Sequence, residues 1–203
     1  EKIEKKNDNA ENKVNKTQTY TNQLGYAKAQ INNMFIVSQT DDSLILIDQH
    51  AAHERIVLEN LKKNYKKRKI LKQVLLLPEI VNIDEGKLLL LKNKKAITEL
   101  GFEFDDYGEN SIIVREIPAI LGKINIDSLF QDLKEQINVL GQINPEDPGI
   151  ERILSSIACH NSIRAGKKLN IEEMNSILRL MEKTPNSSPV SYTHLTLPTT
   201  QVV

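Results

Sequence analysis

Five acidic and imidazole side chains lie within twelve consecutive residues, and together they could bind a cation. They are Asp48, His50, His53, Glu54 and Glu59. His50 and Glu54 are four residues apart, so on a helix they share one face. Zinc usually takes about four ligands from His, Cys and acidic side chains, so this segment supplies about half of a metal site.

These side chains stand where a strand pattern gives way to a helix pattern. Residues 44–48 form an apolar run that predicts a buried strand, and residues 50–63 have the spacing of a helix. Polar groups massed at such a junction indicate a site rather than a solvated face. The zinc-protease pattern needs a second His four residues after the first. Val57 stands at that distance from His53, so we exclude that class.

Spacing alone leaves two interpretations of His50 and Glu54 open. Such a pair is more often a surface hydrogen bond than a set of metal ligands. Two features weigh toward a metal: Asp48 precedes the pair, and Cys159 with His160 ends an apolar segment far along the chain. A thiolate near an imidazole and a carboxylate would complete a zinc site, whereas a lone Cys in such a segment is usually just buried.

Length and composition predict a globular protein of one or two domains. The chain has 203 residues, 39% of them hydrophobic and 27% charged, which is ordinary for a folded domain. The formal net charge is zero, so nucleic-acid binding would depend on local patches. No apolar run approaches the roughly 20 residues that span a bilayer, so we expect no membrane partner. The single cysteine excludes an internal disulfide and is consistent with a reducing, cytoplasmic compartment.

Strand and helix patterns follow one another without regular βαβ alternation, which predicts a mixed α/β (α+β) fold. The predicted strands are residues 25–31, 34–39, 44–48, 74–77, 102–104 and 111–117. The predicted helices are residues 50–63, 84–100, 126–140, 149–161 and 171–183. We expect Pro78 to end the fourth strand, and Asp84 and Asn170 to be N-caps.

Two segments resemble one known family. Residues 48–59 match in full the DQHA-x2-E-x4-E motif of the C-terminal endonuclease domain of the MutL family of DNA mismatch repair proteins. Residues 158–166, Ala-Cys-His-Asn-Ser-Ile-Arg-Ala-Gly, resemble the second motif of that family, an Ala-Cys segment followed by a basic residue. The resemblance covers roughly residues 24–188 in the right order.

The resemblance implies a dimerisation subdomain that is interrupted by an inserted regulatory subdomain. The dimerisation and endonuclease subdomain would comprise residues 23–78 and 147–188, and the insert residues 79–146. Residues 1–22 are polar and rich in Lys, Asn and Glu, which predicts a disordered linker. Residues 189–203 resemble translated sequencing-adapter read-through, so we interpret them as non-native; a natural Thr/Pro-rich tail is the alternative.

The resemblance also implies a metal-dependent endonuclease that nicks one strand of duplex DNA. His50, Glu54 and Cys159 would be metal ligands, and Asp48 would act with Glu54 in cleavage. The remaining motif positions would support the site: Gln49, Glu59, His160 and Arg164. Many members carry Arg or Lys where His160 stands. Zinc would be structural or regulatory, and manganese or magnesium would serve catalysis.

One departure from the family bears on catalysis. The family supplies two more ligands from a Cys-x-His-Gly-Arg-Pro segment shortly after a Thr-Pro pair, and here Thr184-Pro185 leads into the adapter-like tail. We therefore expect weak metal binding and poor nuclease activity from a C-terminally truncated domain. The alternatives are a non-catalytic module for homodimerisation and sliding-clamp docking, and a purely structural zinc domain.

A second motif predicts a protein partner. Gln73, Leu76 and Pro78 fit Gln-x-x-Leu-x-Pro, a pattern for docking on the replication sliding clamp. An ordinary buried strand ended by proline is the other interpretation. The family also implies a mismatch-recognition protein as partner, and a bacterial cytoplasm with nucleoid association as location.

A basic run predicts contact with duplex DNA. Residues 62–69 contain six basic side chains, and Lys66, Lys67 and Arg68 could bind phosphates without sequence preference. Such a run is usually only solvated, so that interpretation also stays open.

Overall fold

The computed structural model describes residues 22–141, 143, 149–160 and 167–185, together with the backbone of residues 192–196. The strands are β1 (Tyr26–Ile31), β2 (Phe35–Gln39), β3 (Ser43–Asp48), β4 (Lys72–Asn82), β5 (Glu103–Tyr107), β6 (Ser111–Pro118) and β7 (Tyr192–Thr196). The α-helices are α1 (Gln49–Lys66), α2 (Lys87–Lys92), α3 (Lys94–Glu99), α4 (Ile126–Leu140), α5 (Gly149–His160) and α6 (Ile171–Lys183). No helix among these residues is long and apolar enough to cross a membrane.

The first sheet has the strand order β1-β2-β3-β7, and all of its pairs are antiparallel. Alternate residues of β2 and β3 point to one face because side chains of a strand alternate. Ile36, Ile45 and Ile47 on that face are buried. They pack with apolar residues of α6 into the first hydrophobic core, so β3 delivers Asp48 to the edge of this core.

The second sheet has the order β4-β6-β5 and is also antiparallel. Phe130 of α4 packs edge-on against Phe102 and Phe104, with ring centroids 5.5 and 5.6 Å apart. These rings lie at the centre of the second core, which also includes residues of α5. The sheets and helices confirm a mixed α/β fold, and the subdomain boundaries stay predictions.

Helix α1 contributes to both cores. Ala52, near its beginning, packs into the first core, whereas Val57, Leu58 and Leu61 pack into the second. The helix begins directly after β3 without an intervening loop. The side chains of residues 48–59 are therefore fixed relative to both halves of the structure.

Two predicted elements are wrong in detail. The helix predicted over residues 84–100 is split at Asn93 into α2 and α3, and α2 follows Gly86 rather than an Asp84 cap. The buried Asn93 amide explains the break, because it donates to Leu89 O and accepts from the backbone N–H of Ile143. The Asn93 side chain thus bonds to the backbone of its own helix and to the distant residue Ile143, and such side-chain bonds compete with regular helical hydrogen bonding.

The predicted end of a strand at Pro78 is also wrong. Strand β4 runs through Pro78, and its ladder with β6 is interrupted between Val74 and Glu79. Proline cannot donate to a ladder, so it is tolerated at an irregular edge position of this kind. By contrast, α4 and α6 begin and end as predicted, and α6 has a capping box between Asn170 and Glu173.

Part of the tail also has a described backbone. Tyr192–Thr196 pairs antiparallel with β3, and Thr196 lies opposite Ser43. Backbone pairing accepts nearly any sequence, so the foreign origin of residues 189–203 stays a prediction. The linker predicted over residues 1–22 lies, except for Asn22, outside the described residues.

Candidate functional site

Asp48 occupies the junction between β3 and α1 as the N-cap of the helix. Its backbone is extended, with φ −68° and ψ 114°, and its Oδ1 accepts a hydrogen bond from the Ala51 N–H at 3.0 Å. A carboxylate here also interacts favourably with the positive end of the helix dipole. Because a carboxylate has two oxygens, capping leaves room for a second role in a reaction.

His50 and Glu54 lie on the first turns of α1, on one face as predicted. Their closest atoms, His50 Nε2 and Glu54 Oε2, are 3.9 Å apart, and the side chains are 43% and 34% exposed. This separation is longer than a hydrogen bond. An imidazole and a carboxylate held at this spacing, with access to solvent, suit a shared cation.

Cys159 of α5 lies within electrostatic range of Glu54, one member of this pair. Cys159 is an exposed residue and not a buried one. Partial desolvation of its thiol nevertheless raises the pKa, and the negative charges of Glu54 and Asp132 raise it further. Glu54 must therefore lie close enough to act on the sulfur, although 105 positions separate the two residues. Helices α1 and α5 pack together through the second core, which accounts for this proximity.

The neighbours of this group include one residue that the sequence did not predict. His160 Nε2 lies 2.6 Å from Asp132 Oδ2, which links α5 to α4. Asp132 carried no sequence signal, because it lies in another helix and in no motif.

On α1, burial lowers the pKa of His53, and the positive charges of His50 and Lys167 lower it further. This shift favours the neutral form of the His53 imidazole.

The two remaining motif residues of α1, Gln49 and Glu59, form contacts with other side chains of the protein. Gln49 is 1% exposed, and its Oε1 accepts a hydrogen bond from Gln30 Nε2 at 2.5 Å. Glu59 pairs with Arg55 at 3.2 Å and with Lys62 at 3.5 Å. Lys62 in turn contacts a glutamate of α5. Gln49 and Glu59 thus contact other parts of the protein, and the supporting roles predicted for them stay predictions. The second residue that the sequence missed is Gln30.

The donor types are those that zinc takes, but the structure does not assemble His50, Glu54 and Cys159 into a metal-binding group. His50, Glu54 and Cys159 offer an imidazole, a carboxylate and a thiol, which are the groups that zinc takes. Within the described part of the chain, no group of three or more His, Cys, Asp or Glu side chains is arranged to hold a metal ion. Further ligands would have to come from solvent or from other residues. Arg164, predicted as motif support, lies outside the described residues.

The segment around Gln73 is exposed rather than buried. Leu76 is fully accessible, and Leu77 and Val74 are 82% and 68% exposed. Strand β4 is an edge strand, so its unpaired side faces away from the second sheet. The interpretation of this segment as an ordinary buried strand ended by Pro78 is therefore wrong.

The basic run lies at the far end of α1. Lys66 is in the last turn, Lys67 is the C-cap, and Arg68 follows with a left-handed φ of 52°. Lys66 and Arg68 line a cleft of about 490 Å³ that α5 and the start of β4 also border. Acidic Glu99 and Glu151 line the same cleft, so its charge is mixed.

The outer face of the first sheet is apolar. Phe35, Val37, Leu44 and Leu46 alternate with the buried residues of β2 and β3, and each is only partly buried. Val37 lies opposite Leu46 in the ladder, so these side chains form one continuous patch. An apolar sheet face of this kind is typical of a surface that another protein covers.

A family model and similar proteins both identify the same family for this chain. Residues 28–169 match the family described as the MutL C terminal dimerisation domain. The chain is 44% identical over 184 residues to the DNA mismatch repair protein MutL of Rickettsia bellii. That alignment covers 90% of this chain and 30% of the relative.

Two further relatives agree. The chain is 42% identical to DNA mismatch repair protein MutL of a Bradyrhizobium species and 44% identical to that of Afipia carboxidovorans, each over 170 residues. These alignments cover 83% of this chain and 28% of either relative. The chain thus spans less than a third of the length of these relatives.

The geometry around Cys159 predicts how its thiol reacts. Since the charge of Glu54 helps to raise the Cys159 pKa, Glu54→Gln should lower that pKa and increase the thiolate fraction near pH 8. Alkylation of the single cysteine should then be faster by about twofold or more. The measurement is the rate of thiol labelling across a pH series.

Glu59→Gln is the matched control, because Glu59 lies on the same helix but pairs with Arg55. Its labelling rate should equal that of the unchanged chain. A Glu54→Gln rate no faster than the control would contradict the proximity of Glu54 and Cys159.

Proposed function

Because the chain belongs to the MutL C-terminal dimerisation domain family, we propose that it is the C-terminal module of a DNA mismatch repair protein, which dimerises and nicks duplex DNA with the help of metal ions. The proposal rests on one observation above all. A cap carboxylate, an imidazole and a second carboxylate stand at the start of α1, and the only thiol of the chain lies within electrostatic reach of Glu54.

The roles follow from the chemistry of the side chains. His50, Glu54 and Cys159 would hold metal ions: zinc through the thiol and imidazole, and manganese or magnesium through the carboxylate. A bound ion offsets charge on the scissile phosphate and makes water a better nucleophile. Asp48, oriented by its bond to Ala51, would accept a proton from that water.

Duplex DNA would lie along α1. Sixteen residues separate His50 from Lys66, which at about 1.5 Å per residue is about 24 Å, or roughly seven base pairs of B-DNA. One duplex could therefore contact the candidate site and the basic residues Lys66, Lys67 and Arg68 at once. Phosphate contacts there would hold DNA without reading its sequence. This activity would act on nucleoid DNA in a bacterial cytoplasm.

The first prediction from this proposal tests cleavage. A chain in which a Cys-x-His segment follows Thr184-Pro185 should nick supercoiled plasmid in the presence of Mn²⁺, and faster than the chain without that segment. Asp48→Asn in the extended chain should lower the rate by about 100-fold or more, because proton transfer is lost. Asn is as good an N-cap as Asp, so α1 should still form.

Asp41→Asn provides the matched control, because Asp41 is an exposed acid in the turn before β3. It should leave nicking unchanged, and all variants should have similar circular dichroism spectra. Equal rates for the extended chain and its Asp48→Asn variant would refute the catalytic role and favour the non-catalytic alternative.

Dimerisation is proposed to use the apolar outer face of the first sheet. The family is described as a dimerisation domain, and the patch around Leu46 and Val37 is continuous and only partly buried. A second copy of the chain would remove this patch from water, which is the main driving force for such contacts. The mismatch-recognition protein would bind the assembled dimer elsewhere.

The second prediction tests this face. Leu46→Asp should weaken self-association by about tenfold or more, because a charge would be buried in an apolar contact. Sedimentation equilibrium or light scattering measures the change. Leu88→Asp, at an exposed leucine of α2, is the control and should leave the association constant unaltered. If both variants associate like the unchanged chain, the dimer uses another surface.

Clamp docking is a second candidate function, and the exposure of β4 favours it. Leu76 and Leu77 project into solvent from an edge strand whose ladder is interrupted at Pro78. A sliding clamp that binds an extended peptide needs accessible apolar side chains of this kind. Gln73 would add a polar contact. This function requires no metal ion and is compatible with either outcome for cleavage.

The third prediction concerns that contact. Gln73→Ala with Leu76→Ala should lower affinity for the purified clamp by about tenfold, equivalent to about 1.4 kcal/mol, without unfolding the domain. Surface plasmon resonance gives the affinity. Leu71→Ala removes a leucine that is 77% exposed but lies outside the motif, so it serves as the control. Clamp binding by the double variant at full strength would eliminate this function for the segment.

A further inference from the structure

The cleft at the far end of α1 has the size of a small-molecule site. Its volume is about 490 Å³, which is within the usual range for ligand pockets and more than an inorganic anion needs. Ile70, Ile150 and Leu154 give it an apolar wall, and Tyr65 adds an aromatic ring. Leu154 belongs to the second core, so the folded protein holds this wall in place. A flat ring could pack against such a wall.

Two cations of the cleft are not used by the fold. Lys62 and Lys72 also line the cleft, but both are paired with glutamates. Neither Lys66 nor Arg68 forms an ion pair with another residue that the structure describes, and both are exposed. The cleft therefore offers two uncommitted positive charges, which suit an anionic group such as a phosphate.

Arg68 has a backbone conformation that an arginine rarely adopts. Its φ is 52°, and its N–H donates to Tyr65 O at 2.8 Å. The Lys69 N–H donates to Asn64 O at 2.9 Å, which completes a Schellman motif at the end of α1. Glycine usually occupies this left-handed position because it has no Cβ. An arginine at a glycine position beside a cleft points to a function for its side chain.

The hydroxyl group of Tyr65 is a hydrogen-bonding group that the fold leaves unused. Its oxygen is buried and has no hydrogen-bond partner among the described residues. Desolvation raises the pKa of the Tyr65 phenol, the charge of Glu99 raises it further, and the charge of Arg68 lowers it. The phenol is therefore a donor at neutral pH, within electrostatic range of two cleft residues. A buried donor without a partner is costly, and a ligand in the cleft would supply the missing acceptor.

We propose that this cleft binds a nucleoside monophosphate, with its phosphate at Lys66 and Arg68 and its base against the apolar wall. Arginine and lysine are the side chains that bind phosphate in proteins. Glu99 forms no ion pair with a described residue and would accept a hydrogen bond from an amino group of the base, as carboxylates do from cytosine. Tyr65 would donate to the ligand.

The inference goes beyond the proposed function, because it involves neither a metal ion nor cleavage. It shares only Lys66 and Arg68 with the proposed contact to duplex DNA. A bound nucleotide would therefore compete with DNA at the end of α1, whereas the start of the helix would be unaffected.

The test is calorimetric titration of the full chain with adenosine monophosphate (AMP), without metal ions. Ribose 5-phosphate lacks the base and adenosine lacks the phosphate, so each should bind at least about tenfold more weakly than AMP. No AMP binding up to about 10 mM, or equal affinity for all three compounds, would overturn the proposal.

Arg68→Gly separates binding from folding, because glycine suits the left-handed φ. It should weaken AMP binding by about tenfold or more, with a melting temperature equal to or above that of the unchanged chain. Tyr65→Phe, which removes only the hydroxyl, should weaken binding by about threefold to tenfold.

Lys67→Ala is the matched control, because Lys67 belongs to the same basic run but lies outside the lining of the cleft. It should bind AMP like the unchanged chain. A loss in Lys67→Ala as large as that in Arg68→Gly would show only general attraction to positive charge and overturn the proposal. Full-strength binding by both Arg68→Gly and Tyr65→Phe would overturn it as well.

A nucleotide at the 5′ end of a DNA strand presents the same chemistry as free AMP. Displacement of AMP by a 5′-phosphorylated single strand, but not by the same strand without that phosphate, would assign the cleft to DNA ends. Displacement by neither strand would assign it to the free nucleotide. Equal displacement by both strands would show a general phosphate patch and count against the proposal. Loss of metal binding or nicking activity would leave each of these results unchanged.

Discussion

The packing of α1 into both hydrophobic cores is the constraint on which the rest of the structure depends. Ala52 is buried with β3 and α6, and Leu58 and Leu61 are buried with α4 and α5. A helix held at both ends cannot rotate without exposing apolar surface in one core or the other. The orientation of His50 and Glu54 is therefore set by side chains on the opposite faces of the same helix.

Apolar packing holds α1 in place, and polar contacts fix its position along its own axis. Asp48 fixes where α1 begins, and Glu59 pairs with Arg55 and Lys62 where α1 passes α5. The Glu59 carboxylate of these pairs is only 15% exposed, and a buried amide such as Gln49 is costly to leave unpaired. The DQHA segment thus combines residues that face the site with one that faces the interior.

The sequence predicted the elements with strong local signals and missed those decided by tertiary contacts. Helix α6 was predictable because Asn170 and Glu173 form a local capping box. The break at Asn93 was not, because its cause is a hydrogen bond to Ile143, which lies 50 positions away. Cys159 could be named as a candidate ligand because it lies in a local sequence motif. Gln30 and Asp132 lie in no motif, so the sequence did not mark them.

The charges around Cys159 explain how a thiol could remain inert without metal and still bind one. Partial desolvation and the carboxylates of Glu54 and Asp132 all favour the protonated form of the Cys159 thiol. In the proposed site a divalent cation would reverse this balance, because the same carboxylates would then face a positive charge and the thiolate would be a ligand. Metal binding would therefore be coupled to loss of the thiol proton, and metal affinity would rise with pH. The acids beside the sulfur thus favour the protonated thiol in the protein alone, and they would strengthen the proposed site once an ion is bound.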